Sequence, residues 1–133
     1  MDSTEKRLLL NRVLGQQYEA PTTIQSQAWP IALSGADMVG IARTGSGKTL
    51  AFCLPAIIHI MAQPPLQHGD GPIALILSPT RELAKQVEEV ARTFGKPCGV
   101  HSVAVYGGAD KNSQISQLNK GIFLHSAFFL LEI

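Results

Sequence analysis

The chain has 133 residues, with 11 Lys+Arg against 10 Asp+Glu, and charged residues make up only 16% of it. That length suits one domain of ordinary size and not two, and 45% hydrophobic residues make the chain too apolar and too charge-balanced for intrinsic disorder. A net charge of +1 supplies no strongly basic field, so composition alone does not argue for nucleic acid, and Cys53 and Cys98, with no C-x-x-C pair, suit buried packing or a reducing compartment rather than a disulfide scaffold or zinc site.

Residues Thr4 to Gln17 read as a helix with Leu10, Val13 and Leu14 on one face. A turn at Tyr18-Glu19-Ala20-Pro21 follows. A second helix is predicted from Thr23 to about Ser34, bent at Pro30, with Thr22 and Gln25 at capping-box spacing. After the turn Gly35-Ala36-Asp37, the segment Met38-Val39-Gly40-Ile41-Ala42 reads as a short buried strand. A tight loop, Thr44 to Gly47, leads into a mostly apolar helix from Lys48 to Met61. Pro64 to Pro72 is a Pro/Gly-rich surface loop. The unbroken apolar run Ile73-Ala74-Leu75-Ile76-Leu77 predicts a strand covered on both faces. Leu83, Val87, Val90, Ala91 and Phe94 form one stripe of a helix from Arg81 to Phe94. Val100 to Tyr106 reads as a strand ending at Gly107-Gly108, and Asn112 to Lys120 as a short helix. This alternation predicts an α/β fold, a parallel sheet with helices on both faces.

Met1 to Arg7 carries Asp2, Glu5, Lys6 and Arg7, which is not a signal-peptide pattern. The uncharged stretch Thr49 to Gly69 is interrupted by Pro55, Pro64 and Pro65, a poor membrane span. A soluble, intracellular protein with no membrane partner is the expectation.

The segment Ala42-Arg43-Thr44-Gly45-Ser46-Gly47-Lys48-Thr49 departs from G-x-x-x-x-G-K-[ST] only at its first position. Gly45 and Gly47 let successive backbone N–H groups curl toward phosphate oxygens. The helix that follows aims its positive end at the same anion. Lys48 would reach the β- and γ-phosphates, and the Thr49 hydroxyl would bind Mg²⁺.

With Ala first, this loop resembles motif I of DEAD-box RNA helicases. Three more stretches match in order: Tyr18 to Gln25 resembles the Q motif, Pro79-Thr80-Arg81-Glu82-Leu83-Ala84 motif Ia, and Gly107-Gly108 the GG element. The resemblance covers about residues 10 to 121 and implies a RecA-like P-loop NTPase domain. It implies ATP with Mg²⁺ as cofactors and RNA, bound without sequence preference, as partner. Gln25 would read adenine and Tyr18 would stack on it; read in isolation, Gln25 is a capping-box residue and Tyr18 a surface aromatic. Thr22 would support the loop, cap the helix, or do both. Pro79, Thr80, Arg81 and Glu82 would meet the RNA backbone, and Gly107 and Gly108 would let it approach closely. The framing text Ser26-Gln27-Ala28-Trp29-Pro30 is similar to the branch that remodels ribonucleoprotein, which implies ribonucleoprotein partners; the expected address is nucleus or cytoplasm, the nucleus slightly favoured.

The match stops after Gly121. Residues 122–133 read as a divergent apolar tail, and no T-P-G-R, D-E-A-D or S-A-T sequence occurs. A RecA-like domain runs to about 200 residues, so the expectation is an incomplete domain cut before the D-E-A-D motif, without complete catalytic machinery and without turnover. Asp70, Asp110 and Glu132 are the carboxylates that could stand in beside Mg²⁺. With no D-E-A-D strand, Val39 and its neighbours would present an unpaired edge unless the tail substitutes as a strand. Three functions compete: part of an ATP-dependent RNA helicase, a nucleotide-binding module without turnover, and a small P-loop kinase. The Q motif and motif Ia argue against the kinase.

Overall fold

The computed structural model describes residues 20–67, 70–119 and 124–128. The predicted helix Thr4 to Gln17 lies outside them. In chain order the elements are α1 (Thr23–Leu33), α2 (Lys48–Met61), β1 (Ala74–Ser78), α3 (Arg81–Gly95), a 3-10 turn (Lys96–Cys98), β2 (Ser102–Val105), α4 (Lys111–Leu118) and β3 (Leu124–Phe128).

Each boundary has a local cause. Thr80 starts α3 because its hydroxyl oxygen accepts the Leu83 N–H at 3.2 Å. Asp110 starts α4 by accepting the Ser113 N–H at 2.8 Å. Gly99, at φ 76°, turns the chain out of the 3-10 segment, and β2 spans Ser102–Val105, starting two residues later than the predicted Val100. α1 continues through Pro30 to Leu33, with Ser34 as its cap.

The strands pair in parallel in the order β1-β3-β2. Leu75 and Val103 both register with His125 across the central strand. Residues 124–128 of the expected tail therefore fill the middle of the sheet, between β1 and β2 and not beside residues 38–42. Parallel strands need a crossover, and α3 supplies it between β1 and β2.

The core forms where α2 meets α3. Leu50, Cys53, Leu54, Ile57 and Ile60 of α2 pack against Val87, Ala91 and Phe94 of α3 and against Val100. Burial pushes the Cys53 thiol up to about 12, so it is an inert packing group. α1 is tied to α2 by the Trp29 indole, which donates to the Leu50 carbonyl at 3.3 Å. His59 Nε2 lies 2.8 Å from the Ala32 carbonyl and carries the proton there, which gives this histidine a structural role.

Two expectations about strands need correction. Residues 38–42 are extended but pair with no strand among the described residues, and Val39 and Ile41 are 90% and 93% exposed. Met38, 40% exposed, and Gly40 line a cavity of about 560 Å³ shared with Leu75 and Leu77 of β1. A strand is defined by its ladder partners, and all three described strands pair only with one another. For the same reason β1 is covered on one face only. Ala74 and Ile76 pack on the core, whereas Leu75 and Leu77 are 57% and 64% exposed toward that cavity.

Among the described residues no helix is long and apolar enough to cross a membrane, and no group of His, Cys, Asp and Glu could hold a metal ion.

Glu88 provides a pH test of the packing. Burial beside β2 raises its carboxyl above the ordinary range, while the Arg92 charge and the Ser102 hydroxyl, 3.4 Å away, pull it back, and Glu89 adds to the rise. A raised folded pKa favours the protonated form on folding. The stability is present below the unfolded pKa and is lost as pH rises through the folded one. Glu88→Gln is therefore expected to raise the melting temperature at pH 7, and by less near pH 4. A lower melting temperature at pH 7 would mean that the Arg92 pair outweighs burial.

Candidate functional site

The phosphate loop is built by two left-handed glycines. Gly45 sits at φ 76° and Gly47 at φ 86°. Gly47 is also the N-cap of α2, and its carbonyl accepts the Ala51 N–H at 3.1 Å to start the helix. The first N–H groups of α2 consequently face the loop, the electropositive end of the helix. Lys48 folds its ammonium back onto the Ala42 carbonyl and, at 2.8 Å, the Arg43 carbonyl. Arg43 and Thr44 are exposed, and Thr49 follows in the first turn of α2.

Ser46 Oγ is buried and lacks a hydrogen-bond partner. A buried hydroxyl left this way costs roughly 1–3 kcal/mol, and an anion in the loop would relieve it. The Lys48 ammonium, held only by two carbonyls, has a third donor to offer. The donor set fits a polyphosphate. Thr49 offers one neutral oxygen, which suits Mg²⁺ held mainly by phosphates and water.

Gln25 joins this loop to α1. It is 3% exposed. Its Oε1 accepts the Thr22 N–H at 3.0 Å, as in a capping box, and its Nε2 donates to the Gly47 carbonyl at 3.1 Å. One amide proton and one lone pair remain for a ligand. The helix-capping reading is met, and the amide keeps hydrogen-bonding groups beyond it. Tyr18 lies outside the described residues.

A second constellation forms where β1 and β2 end. Pro79, Thr80, Arg81 and Glu82 are exposed at the start of α3, and Gly107 and Gly108 follow β2. The tertiary structure brings the two together. A Cβ at Gly108, whose φ is 79°, would lie 3.0 Å from Arg81 Nη2. The Arg81 guanidinium stands 5.5 Å from the centroid of the Tyr106 ring, and the Lys85 ammonium stands 5.0 Å from the same centroid. Sequence reasoning missed Tyr106, Lys85 and Gln114. The available signals were the position of Tyr106 directly before the glycine pair and the four-residue spacing of Lys85 from Arg81.

The carboxylates considered for a metal are occupied otherwise. Asp110 caps α4, and Asp70 Oδ2 accepts the Gln67 N–H at 2.7 Å. Glu132 lies outside the described residues. The 560 Å³ cavity is lined by both Lys48 and Thr49 of the loop and Ser78 and Leu83 flanking the second constellation. Both sites thus lie toward the carboxyl ends of the strands, where open α/β sheets bind ligands.

Comparison with known proteins gives a consistent picture. The DEAD/DEAH box helicase family profile matches residues 22–129. The chain is 57% identical over 116 residues to the ATP-dependent RNA helicase dbp2 of Neurospora crassa, covering 87% of this chain and 21% of that protein. It is 58% identical over 114 residues to dbp2 of Emericella nidulans, covering 86% of this chain and 21% of that one. It thus spans about a fifth of the length of these relatives. Among solved structures, it is similar to the RNA-helicase Prp28 from Chaetomium thermophilum bound to ADP, with a TM-score of 0.84 and 44% identity over 92% of this chain and 30% of that one. A DEAD box protein from Methanococcus jannaschii gives 0.76 and 32%, over 90% and 31% of the two chains.

Proposed function

The chain belongs to the DEAD/DEAH box helicase family, and on that premise we propose that it is the ATP-cradling and first RNA-contacting part of an ATP-dependent RNA helicase that unwinds duplexes or remodels ribonucleoprotein. One observation carries the nucleotide half. The Gln25 amide is bonded to the Gly47 carbonyl, so the group that reads the base and the loop that holds the phosphates form one unit.

The residues divide the work. Gln25 offers its remaining amide donor and lone pair to adenine, with Tyr18 as the stacking partner. Ala42 to Gly47 present backbone N–H groups to phosphate oxygens, and Ser46 contributes its unpartnered hydroxyl. Lys48 exchanges its two loop carbonyls for phosphate oxygens, and Thr49 contributes its hydroxyl to Mg²⁺. When bound, ATP with Mg²⁺ supplies the phosphoryl group whose hydrolysis drives remodelling. Thr80 and Arg81 meet the RNA backbone, flanked by Pro79 and Glu82, while Gly107 leaves it room and Gly108 gives its space to the Arg81 guanidinium.

For the 133-residue chain by itself, the binding reading is favoured over turnover. Hydrolysis needs a carboxylate beside the metal, and Asp70 and Asp110 are engaged in local turns and caps. Fluorescence titration is expected to show tighter binding of ATP than of GTP, with the preference lost in Gln25→Ala. Phosphate release should not exceed that of Lys48→Ala. Equal affinity for the two nucleotides would overturn the base-reading role, and turnover well above the Lys48→Ala level would overturn the binding-only assignment.

A further inference from the structure

Arg81 and Lys85 carry like charges four residues apart on α3, an arrangement that ordinarily repels. Both nevertheless stand over one ring, Tyr106, at 5.5 Å and 5.0 Å from its centroid. The electron-rich ring face offsets their repulsion. Neither has a carboxylate partner among the described residues, whereas Arg92 on the same helix is paired with Glu88. The ring itself is held in place. β2 ends at Val105, and just beyond it Gln114 acts as a substitute strand. Its Oε1 accepts the Tyr106 N–H at 2.9 Å and its Nε2 donates to the Tyr106 carbonyl at 3.2 Å. Gly108 keeps open the space that Arg81 Nη2 occupies.

Two uncompensated cations gathered on one half-buried ring make a preassembled site for a polyanion. We propose that Tyr106 is a positioning residue that holds Arg81 and Lys85 as a paired phosphate clamp, and that Lys85 is a further contact to the RNA backbone. This rests on the reading that RNA crosses the edge formed by residues 79–82 and 107–108. RNA is favoured over an acidic peptide because the exposed Thr80 hydroxyl, which accepts the Leu83 N–H, still has its proton to donate to a ribose or phosphate oxygen.

The test is fluorescence anisotropy of the 133-residue chain with a short labelled oligouridine at several salt concentrations. Lys85→Gln changes an exposed side chain, so its fold is not at risk. It should weaken binding by about two- to fivefold and flatten the slope of log affinity against log salt by about 0.7. Tyr106→Phe should bind like the parent chain. Tyr106→Leu should weaken binding in the parent but cause no further loss in an Arg81→Gln/Lys85→Gln background. A merely structural tyrosine would weaken both. Parental affinity and salt slope in Lys85→Gln and Tyr106→Leu, with Arg81→Gln weakened, would overturn the clamp and leave the RNA edge standing. No loss in Arg81→Gln either would overturn the RNA edge itself. Displacement of the RNA by polyglutamate as readily as by unlabelled oligouridine would overturn RNA as the occupant.

Discussion

Gly47→Ala is expected to weaken ATP binding by at least about thirtyfold. Gly47 is at φ 86°, where a side chain costs about 1–3 kcal/mol of backbone strain. Its new Cβ would also collide with the Gln25 amide nitrogen and lie 3.2 Å from Thr22 Oγ1. The Gln25–Gly47 hydrogen bond then breaks, a further loss of about 1 kcal/mol, and the loop leaves the conformation that aims its N–H groups inward. The sum is roughly 2–4 kcal/mol, a drop in affinity of at least about thirtyfold. Gly45→Ala is the graded control. Gly45 is at φ 76°, but nothing lies within 4 Å of its Cβ, so it carries the strain without the collision. Titration calorimetry with ATP should rank the parent first, Gly45→Ala second and Gly47→Ala last. Parental affinity in Gly47→Ala would contradict the coupling of Gln25 and the loop.

The largest stability effect is expected at Ile57, which is fully buried where α2 meets α3. Ile57→Ala removes three carbons from a packed interior and should cost about 2–5 kcal/mol. Ordinary domains have only about 5–15 kcal/mol in total, and this chain has one sheet face open at Leu75 and Leu77. The variant should therefore unfold at a clearly lower urea concentration than the parent chain. Trp29, the single tryptophan, packs against the same core and reports its loss in urea titrations. Leu75→Ala is the paired measurement. At 57% exposure it should change stability by no more than about 0.5 kcal/mol. An equal cost at Leu75 would show that β1 is covered on both faces after all.

The sequence was most legible where structure depends on near neighbours. The helix expected from Lys48 to Met61 forms over those residues, and the one from Arg81 runs one residue past Phe94 to Gly95. Apolar spacing and caps act within a few residues, so both could be read directly. The phosphate loop was legible for the same reason: Gly45, Gly47 and Lys48 have local roles. Met38 to Ala42 has the composition of a strand, yet its pairing depends on partners far along the chain, and none of the described strands lies beside it. Residues 124–128 looked like part of an unrelated tail and instead join β1 to β2.

The sequence by itself determined the family, the order of the four motifs and the chemistry each residue type can supply, because these are properties of residues and spacings. The tertiary structure decided which residues act together. It placed the Gln25 amide on the Gly47 carbonyl across 22 positions, and it set Arg81 and Lys85 over Tyr106. Such contacts arise from the crossover of α3 and from the packing of α1 on α2. Long-range packing follows from burial of whole surfaces, which no local pattern encodes.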